Sequence, residues 1–230
     1  VTVEGVDYTA TNNGDGTWTL ADDTLPVLAE GNVTVDVVAT DEAGNTGAAT
    51  GTIVIDVTAP AVTLDALTTN DTTPALTGTI DDPTATVVVT VEGVDYTATN
   101  NGDGTWTLAD DTLPVLAEGN VAVSVLATDT DGNTGNTSGT IIIDVTAPAV
   151  SLDALTTNDT TPALTGTIDD PTATVVVTVE GVDYTATNNG DGTWTLADDT
   201  LPVLAEGNVT VDVVATDEAG NTDSATGTIV

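Results

Sequence analysis

The stretch TVVVTVEGVDYTATNNGDGTWTLA, at 86–109, decides the fold. Apolar and polar residues alternate in TVVVTV (86–91), VDYTATN (94–100) and TWTLA (105–109), a pattern typical of strands with one buried face. Between them lie EG and NGDG, which make tight turns between antiparallel strands. The stretch therefore predicts three consecutive strands joined by hairpins.

The same strands recur through the chain. VTVEGVDYTATNNGDGTWTLADDTLPVLAEGN occurs at 1–32, 89–120 and 177–208, a period of 88 residues that suits a domain rather than a solenoid repeat. Within one period the alternation predicts further strands, with the segment TTNDTTP as a turn between A and B: A at 61–67, B at 75–80, F at 120–128 and G ending at 144. About seven short strands per period indicate an all-β fold of tandem β-sandwiches. Because the strand count is odd, we expect the sandwiches to stack end to end as a rod.

The period divides the chain into three copies of the repeat. Residues 1–57 carry strands C to G of one repeat, 58–145 form a complete repeat, and 146–230 form a repeat truncated in its last strand. Because 1–57 lack strands A and B, we expect this half-sandwich to expose its core. Its missing part would belong to a longer molecule or be supplied by a neighbour.

Inward-facing residues follow from the alternation. In strand F of the first copy, the predicted inward set is Val33, Val35, Val37 and Ala39, and the copies differ mainly at the positions between them. The three tryptophans either fill the sandwich cores with their N–H groups bonded, which we favour, or serve as ligand platforms: Trp18, Trp106 and Trp194.

The composition excludes several classes of function. The chain has 37 acidic residues and no Lys, Arg, His or Cys, so its formal net charge is −37. Repulsion should keep it from nucleic acid and from anionic membranes. Without imidazole, thiolate or amine side chains, we expect neither an enzyme nor a small-molecule substrate.

The motif IDVTAP, at 55–60 and again at 143–148, ends a strand on a carboxylate just before a stiff Pro, and we interpret it as a joint between repeats. The strand directions bring the BC and FG loops of each repeat to the pole where the preceding repeat ends. Clustered carboxylates repel, and no cationic side chain relieves them. An oxygen-only cluster suits Ca²⁺ better than Mg²⁺, Zn²⁺ or Cu²⁺. We predict a Ca²⁺ site at each joint: Asp56, Asp81, Asp82, Asp129, Asp131 and Asn133 at the first, and Asp144, Asp169, Asp170, Asp217, Glu218 and Asn221 at the second.

Other interpretations of the acidic residues stay open. Each of these side chains could instead make a turn or lie in solvent, and DTDGN at 129–133 matches the EF-hand loop only in part. At the opposite pole, four acids could form a second site or extend the first, although Asp71 could equally cap a turn: Asp71, Asp110, Asp111 and Glu118. The adjacent pairs such as Asp22-Asp23 are poorly placed to act as a glycosidase pair.

The order of four blocks resembles a known family. TTNDTTPALTGTIDDPTATVVVTVEG, NNGDGTWTL, VVATDEAGNTG and IDVTAPAV follow one another as in bacterial immunoglobulin-like (Big) repeats, which build the stalks of giant repeats-in-toxin-type and Lap-type biofilm adhesins. The resemblance implies immunoglobulin-like sandwiches in a secreted, cell-surface extender that Ca²⁺ rigidifies. It assigns the joint carboxylates to Asp56, Asp129 and their copies Asp144 and Asp217.

The function predicted from the sequence is therefore a structural spacer of a bacterial surface adhesin, involved in cell adhesion through a distal ligand-binding region. Its partners would be the neighbouring repeats of the same chain. The alternative is a binding module whose sandwich contacts a glycan or a partner protein. An ice-binding surface is not favoured, because an 88-residue period does not supply a short, regular Thr spacing.

Overall fold

The computed structural model describes all residues from Val1 to Val230. It contains strands and turns but no helix, which confirms the all-β prediction. No helix capable of crossing a membrane is present. The chain divides into two compact units, one of Val1–Pro60 with Thr128–Gly135 and the other of Ala61–Ala127 with Asn136–Val230.

The strands repeat from copy to copy with nearly the same bounds. The first copy contains β1 (Thr2–Val3), β2 (Val6–Asp7), β3 (Thr11–Asn12), β4 (Trp18–Thr19), β5 (Gly31–Thr40) and β6 (Thr46–Ile55). The second contains β7 (Thr68–Thr69), β8 (Leu76–Thr79), β9 (Thr86–Val91), β10 (Val94–Asn100), β11 (Thr105–Leu108), β12 (Gly119–Thr128) and β13 (Thr134–Ile143). The third contains β14 (Leu164–Thr167), β15 (Thr174–Val179), β16 (Val182–Asn188), β17 (Thr193–Leu196), β18 (Val209–Thr216) and β19 (Thr222–Ile229).

The second copy is a two-layer sandwich whose layers share strand β10. The strand order is β7-β13-β12-β9-β10-β11-β8. The first part of β10, Val94–Ala98, pairs with β9, whereas Thr99 and Asn100 pair with β11 in the other layer. The third copy repeats this arrangement in the order β14-β17-β16-β15-β18-β19. The predicted tandem immunoglobulin-like sandwiches are therefore confirmed.

Strand A is the element that the sequence predicted least well. Instead of a continuous strand over 61–67, Val62 makes one bridge to Ile80, and the amides of Thr63 and Asp65 bond to β8 carbonyls. The chain then crosses to the other layer, where β7 pairs in parallel with the end of β13. The predicted turn TTNDTTP thus begins as a strand, because its first residues complete the edge of the β13 layer.

The core confirms the predicted inward register. In the two closed copies, the strand F residues equivalent to those predicted for the first copy are buried, apart from the half-buried Val209: Val121, Val123, Val125, Ala127, Val211, Val213 and Ala215. Trp106 is 0% exposed, and its Nε1 donates to the Thr63 carbonyl at 2.8 Å. Trp194 is equally buried and bonds to Ser151. These two tryptophans are core residues, so neither is a ligand platform.

A glycine makes the tryptophan bond possible. A Cβ on Gly78 would lie 2.1 Å from the Thr63 carbonyl oxygen and 2.6 Å from Trp106 Nε1. Gly166 occupies the same position in the third copy. Only glycine at this position lets the segment around Thr63 lie close enough to β8 for the Thr63 carbonyl to accept the indole hydrogen bond.

The first copy is open, as expected for a half-sandwich. Its strands form a sheet in the order β2-β1-β5-β6 and a separate pair, β3-β4. Trp18 is 47% exposed, and Ile53 is 39% exposed, whereas their equivalents in the second copy, Trp106 and Ile141, are 0% exposed. The face that is the core of the closed copies is here accessible to solvent.

Candidate interdomain joints

The second linker, Asp144 to Ala149, begins firmly attached to the repeat that it leaves. The Asp144 N–H donates to the Thr69 carbonyl at 2.9 Å, which extends the pairing of β13 with β7 by one residue. Its carboxylate accepts the Thr146 N–H at 3.0 Å and so closes a tight turn. The Thr146 hydroxyl in turn donates to Glu118 at 2.8 Å. The first half of the linker therefore has a defined path.

The end of the same linker is attached to the repeat that it enters. The Ala149 N–H donates to the Asp169 carboxylate at 2.7 Å, and the Asp169 N–H donates back to the Ala149 carbonyl at 3.3 Å. The next amide, that of Val150, donates to the Asp223 carboxylate at 3.1 Å. Carboxylates thus orient the linker by accepting main-chain N–H groups, which are charge-assisted hydrogen bonds.

The FG loop of the third copy, Asp217 to Asn221, also contacts the preceding repeat directly. The Asn221 side-chain amide donates to the Asp144 carbonyl and to the Asp217 carboxylate, at 2.8 Å in both cases. The Asn70 N–H donates to the Ala219 carbonyl at 3.1 Å. Ala219 is buried. Two hydrogen bonds therefore cross directly between consecutive repeats, one from each side.

The first joint has the equivalent bonds within the first compact unit. The Asn133 amide donates to the Asp56 carbonyl at 3.2 Å and to the Asp129 carboxylate at 2.8 Å. The Asp56 carboxylate accepts the Thr58 N–H at 3.0 Å, and the Thr58 hydroxyl donates to Glu30 at 2.6 Å. The arrangement is thus a property of the repeat rather than of one joint.

The two joints differ at the start of strand G. A Cβ on Gly135 would lie 1.8 Å from the Pro60 carbonyl oxygen, so the linker backbone packs against this glycine. The third copy has Asp223 at the equivalent position, and there the carboxylate accepts the Val150 N–H. The first linker therefore packs against the backbone of Gly135, whereas the second is hydrogen bonded to the side chain of Asp223.

The pKa of the aspartate that begins each of these two FG loops is lowered. Hydrogen bonds, above all that from the Asn133 side chain, hold the pKa of Asp129 below its ordinary value. Partial desolvation raises the pKa of Asp217, but the side-chain and main-chain bonds from Asn221 outweigh it, so the pKa is lowered. Both loops are thus arranged to accept hydrogen bonds as carboxylates.

The remaining predicted ligands are placed as follows. Asp81 accepts the Ala61 N–H at 2.7 Å, as Asp169 does for Ala149. Asp82 and Asp170 each cap the threonine two residues later. Asp131 and Glu218 are exposed at the loop tips. No group of three or more carboxylates lies close enough together to hold a metal ion, and the Ca²⁺ assignment stays a prediction.

Three of the four acids at the opposite pole, Asp71, Asp111 and Glu118, accept hydrogen bonds. The Asp71 carboxylate accepts the Thr73 N–H at 2.8 Å, which is the turn-capping alternative. The Thr73 hydroxyl donates to Asp71 and, at 2.9 Å, to Asp111. Glu118 holds the linker threonine as described above. These bonds stabilise the loop from which the Asn70 amide reaches the next repeat.

The residues that the sequence did not assign to the joint include Asn70, Ala149 and Asp223. Asn70 and Ala149 contribute main-chain N–H groups, which any residue other than Pro would supply, so no side-chain pattern marks them. Asp223 did leave a signal, because Gly47 and Gly135 stand at the same position in the other copies.

The comparison with known proteins matches the second and third copies of the repeat. The family model for the bacterial Ig-like domain matches residues 63–145 and 150–230. The chain belongs to the bacterial Ig-like domain family. None of the curated proteins matches the sequence.

Among solved structures, the tetra-tandem repeat in the extending region of a large adhesion protein is 28% identical with a TM-score of 0.36. That match covers 88% of this chain but only 57% of that one. A Ca²⁺-stabilized adhesin with which an Antarctic bacterium binds ice is 24% identical, with a TM-score of 0.38 and coverages of 87% and 57%. The fibronectin(III)-like modules of Clostridium thermocellum CbhA are 16% identical, with a TM-score of 0.47 and coverages of 74% and 93%.

Proposed function

We propose that these bacterial Ig-like repeats are a non-catalytic structural extender of a bacterial cell-surface adhesin, which holds a distal ligand-binding region away from the cell. The observation that carries the proposal is the construction of the joint. The linker at Asp144–Ala149 is hydrogen bonded at both ends, and Asn221 and Asn70 add direct bonds between the repeats it connects. A chain that needed its domains to reorient freely would gain nothing from these bonds.

We further propose that Ca²⁺ stiffens the joints. The donors available there are carboxylates, main-chain carbonyls and an Asn amide, which is the oxygen-rich chemistry that Ca²⁺ selects. With a net charge of −37 and no cationic side chain, any approach of one repeat to the next adds repulsion. In the structure the carboxylates of the second joint do not converge closely enough to hold an ion, so Ca²⁺ would have to draw together the side chains predicted from the sequence, Asp144, Asp169, Asp170 and Asp217. A bound ion would supply the positive charge that the sequence lacks.

Small-angle X-ray scattering of the whole chain tests the stiffening. We expect a longer maximum dimension in millimolar Ca²⁺ than in chelator with NaCl at the same ionic strength. Asp217→Asn should reduce the response to Ca²⁺, whereas Asp212→Asn, which removes the same charge from an exposed strand position, should leave it intact. Identical scattering in Ca²⁺ and chelator would refute the stiffening by metal.

The extender role itself is tested separately with a glycan array and with pull-down from host-cell surfaces. A spacer should bind neither, since its only partners are the repeats on either side. Specific, saturable binding of a glycan or surface protein to this chain would instead make it a binding module.

A further inference from the structure

The differences between the copies of the repeat are concentrated on one surface. Residues 1–32, 89–120 and 177–208 are identical. Wherever the second copy departs from a residue that the first and third copies share, the position lies in β12, in β13 or in the loop between them. Those of the departures that are exposed on the two strands are Ala122, Ser124, Leu126, Ser138 and Ile142.

These five side chains share the outer face of the sheet. Buried and exposed residues alternate along β12, where Val121, Val123 and Val125 point into the core, and Ile141 does the same on β13. The exposed residues between them therefore lie on the face that is turned away from the core. A groove of about 560 Å³ runs over this face, and its lining includes Thr90, Ala122, Ser124, Ser138 and Thr140.

The second copy lacks the carboxylate that the other copies carry on this face. In the third copy the Thr226 hydroxyl donates to Asp212 at 2.7 Å, and the equivalent pair of the first copy is bonded at 2.6 Å. The second copy has Ser124 and Ser138 at these two positions. Their hydroxyls are exposed and bond to no other side chain. In a chain of net charge −37, β12 and β13 thus present an uncharged face with free hydroxyls.

The loss of the carboxylate indicates what kind of partner fits. A carboxylate only accepts hydrogen bonds, so two acidic faces brought together would oppose like charges. A hydroxyl both donates and accepts, so a face with Ser124, Ser138 and Thr140 can bond to an identical face. A cationic partner would bind better to the acidic faces of the other two copies. The substitutions therefore favour a partner that is itself acidic, and the centres of protein interfaces are depleted of charge in the same way.

We propose that the outer face of β12 and β13 in the second copy binds the same face of another molecule of this chain. The contact is isologous, with its twofold axis close to Ser124 and Ser138, so that the hydroxyls of each face donate to those of the other. Leu126 and Ile142, both exposed, add apolar contact where the other copies have valines. This partner is additional to the neighbouring repeats of the same chain, and the inference does not depend on the extender role.

Concentration-dependent association of the whole chain tests the proposal. Sedimentation and two-dimensional NMR are measured up to about 1 mM chain in about 0.15 M NaCl, where a Debye length of about 8 Å limits the repulsion between the other surfaces. We expect the average mass to rise above that of the monomer. The amide signals of 122–126 and 138–142 should shift in parallel, whereas their equivalents in the third copy should not. A chain that stays monomeric, or whose signals shift elsewhere, would overturn the proposal.

A double variant restores the face of the other copies. Ser124→Asp with Ser138→Thr recreates the Asp–Thr pair that the folded third copy already has, so the fold should be unaffected. Association should weaken by at least about tenfold, because each face now opposes a like charge. Thr185→Asp adds the same charge at an exposed position of β16 and should leave association unchanged. Equal weakening by the two variants would show general repulsion, and no weakening by the double variant would exclude the face; either result overturns the proposal.

The same amide signals separate another molecule of the chain from other occupants. Cellohexaose serves as a neutral oligosaccharide and oligolysine as a cationic peptide. We expect the first not to bind and the second to perturb the acidic faces of the other copies more than this one. If either probe shifts the signals of 122–126 and 138–142 above all others in a chain that stays monomeric, the face binds that class of ligand and the proposal is wrong.

Discussion

The side-chain amide of Asn221 donates a hydrogen bond to the main-chain carbonyl of Asp144, which lies 77 residues earlier in the chain, over 2.8 Å. The other bond of the same amide goes to the Asp217 carboxylate within its own loop. Asp217 therefore orients the amide that bridges the two repeats. The bridge is a direct hydrogen bond from a side chain to the main chain.

We expect Asn221→Asp to loosen the second joint. The change removes both amide donors and places a second carboxylate beside Asp217, at a cost of about 1–3 kcal/mol. Hydrogen exchange of the Asn70 amide, which bonds across the joint, should accelerate by roughly 5- to 150-fold. Two-dimensional NMR of the whole chain measures this directly.

The first copy offers the matched control. Asn45 sits in the same loop sequence, DEAGN, and bonds to Asp41, but no carbonyl outside its loop contacts it. Asn45→Asp should therefore accelerate exchange at its own loop only, for example at Gly44. If Asn221→Asp likewise disturbs only its loop and leaves Asn70 unchanged, the bridge does not hold the joint.

The hairpins could be predicted from the sequence because their causes are local. Glu92 and Gly93 both have positive φ, at 51° and 80°, which is the turn that matches the twist of β9 and β10. The burial of Trp106 also followed from alternation alone. In both cases the deciding residues lie within a few positions of each other, so the sequence displays them together.

The joint could be predicted only in part. The sequence predicted that Asp144, Asp169 and Asp217 lie at the same pole. In the structure Asp144 and Asp169 accept amides of the linker, and Asp217 accepts an amide of its own loop. Their hydrogen-bond donors were not predictable, because main-chain N–H groups occur at almost every residue. Charge repulsion suggested a metal, which stays a prediction, and the structure shows in addition that each of these carboxylates accepts a main-chain amide.

Gly78→Ala should strongly destabilise the second copy. The new Cβ would lie 2.1 Å from the Thr63 carbonyl oxygen, so the strand must move away and the indole N–H loses its acceptor. Overpacking and the lost bond together cost about 2–5 kcal/mol. Calorimetry should show one transition moving to lower temperature. Gly51→Ala, where the Cβ meets nothing within 4 Å, should change stability by no more than about 0.5 kcal/mol.

Asn133→Ala should raise the pKa of Asp129 toward its ordinary value of 3.8, because the Asn133 side chain is the main cause of the lowering. A lowered folded-state pKa contributes stability above the unfolded value, which is lost as the pH falls through the folded value. This contribution should therefore begin to fall below about pH 3.8 in the native chain and be lost once the pH is below the lowered folded-state pKa. Carboxyl ¹³C NMR titration measures the shift, and an unchanged Asp129 midpoint in the variant would contradict it.

On the strands, threonine hydroxyls donate hydrogen bonds to aspartate carboxylates. Thr226 donates to Asp212 across β18 and β19 at 2.7 Å. Thr226→Val keeps the branched shape but removes the donor, and should cost about 0.5 kcal/mol. Thr228→Val is the control, since Thr228 is exposed on the same strand and its hydroxyl bonds to no side chain. Equal denaturant midpoints for the two variants would show that the hydroxyl bond contributes nothing.

Sodium chloride should stabilise the chain. Proteins with many ion pairs lose attraction when salt screens them, but here every fixed side-chain charge is negative and the net charge is −37. Screening can then only weaken repulsion, within a Debye length of about 30 Å at 0.01 M and about 10 Å at 0.1 M. The melting temperature should rise steadily over this range at constant pH. A melting temperature that falls with salt would mean that attractive electrostatic contacts outweigh the repulsion.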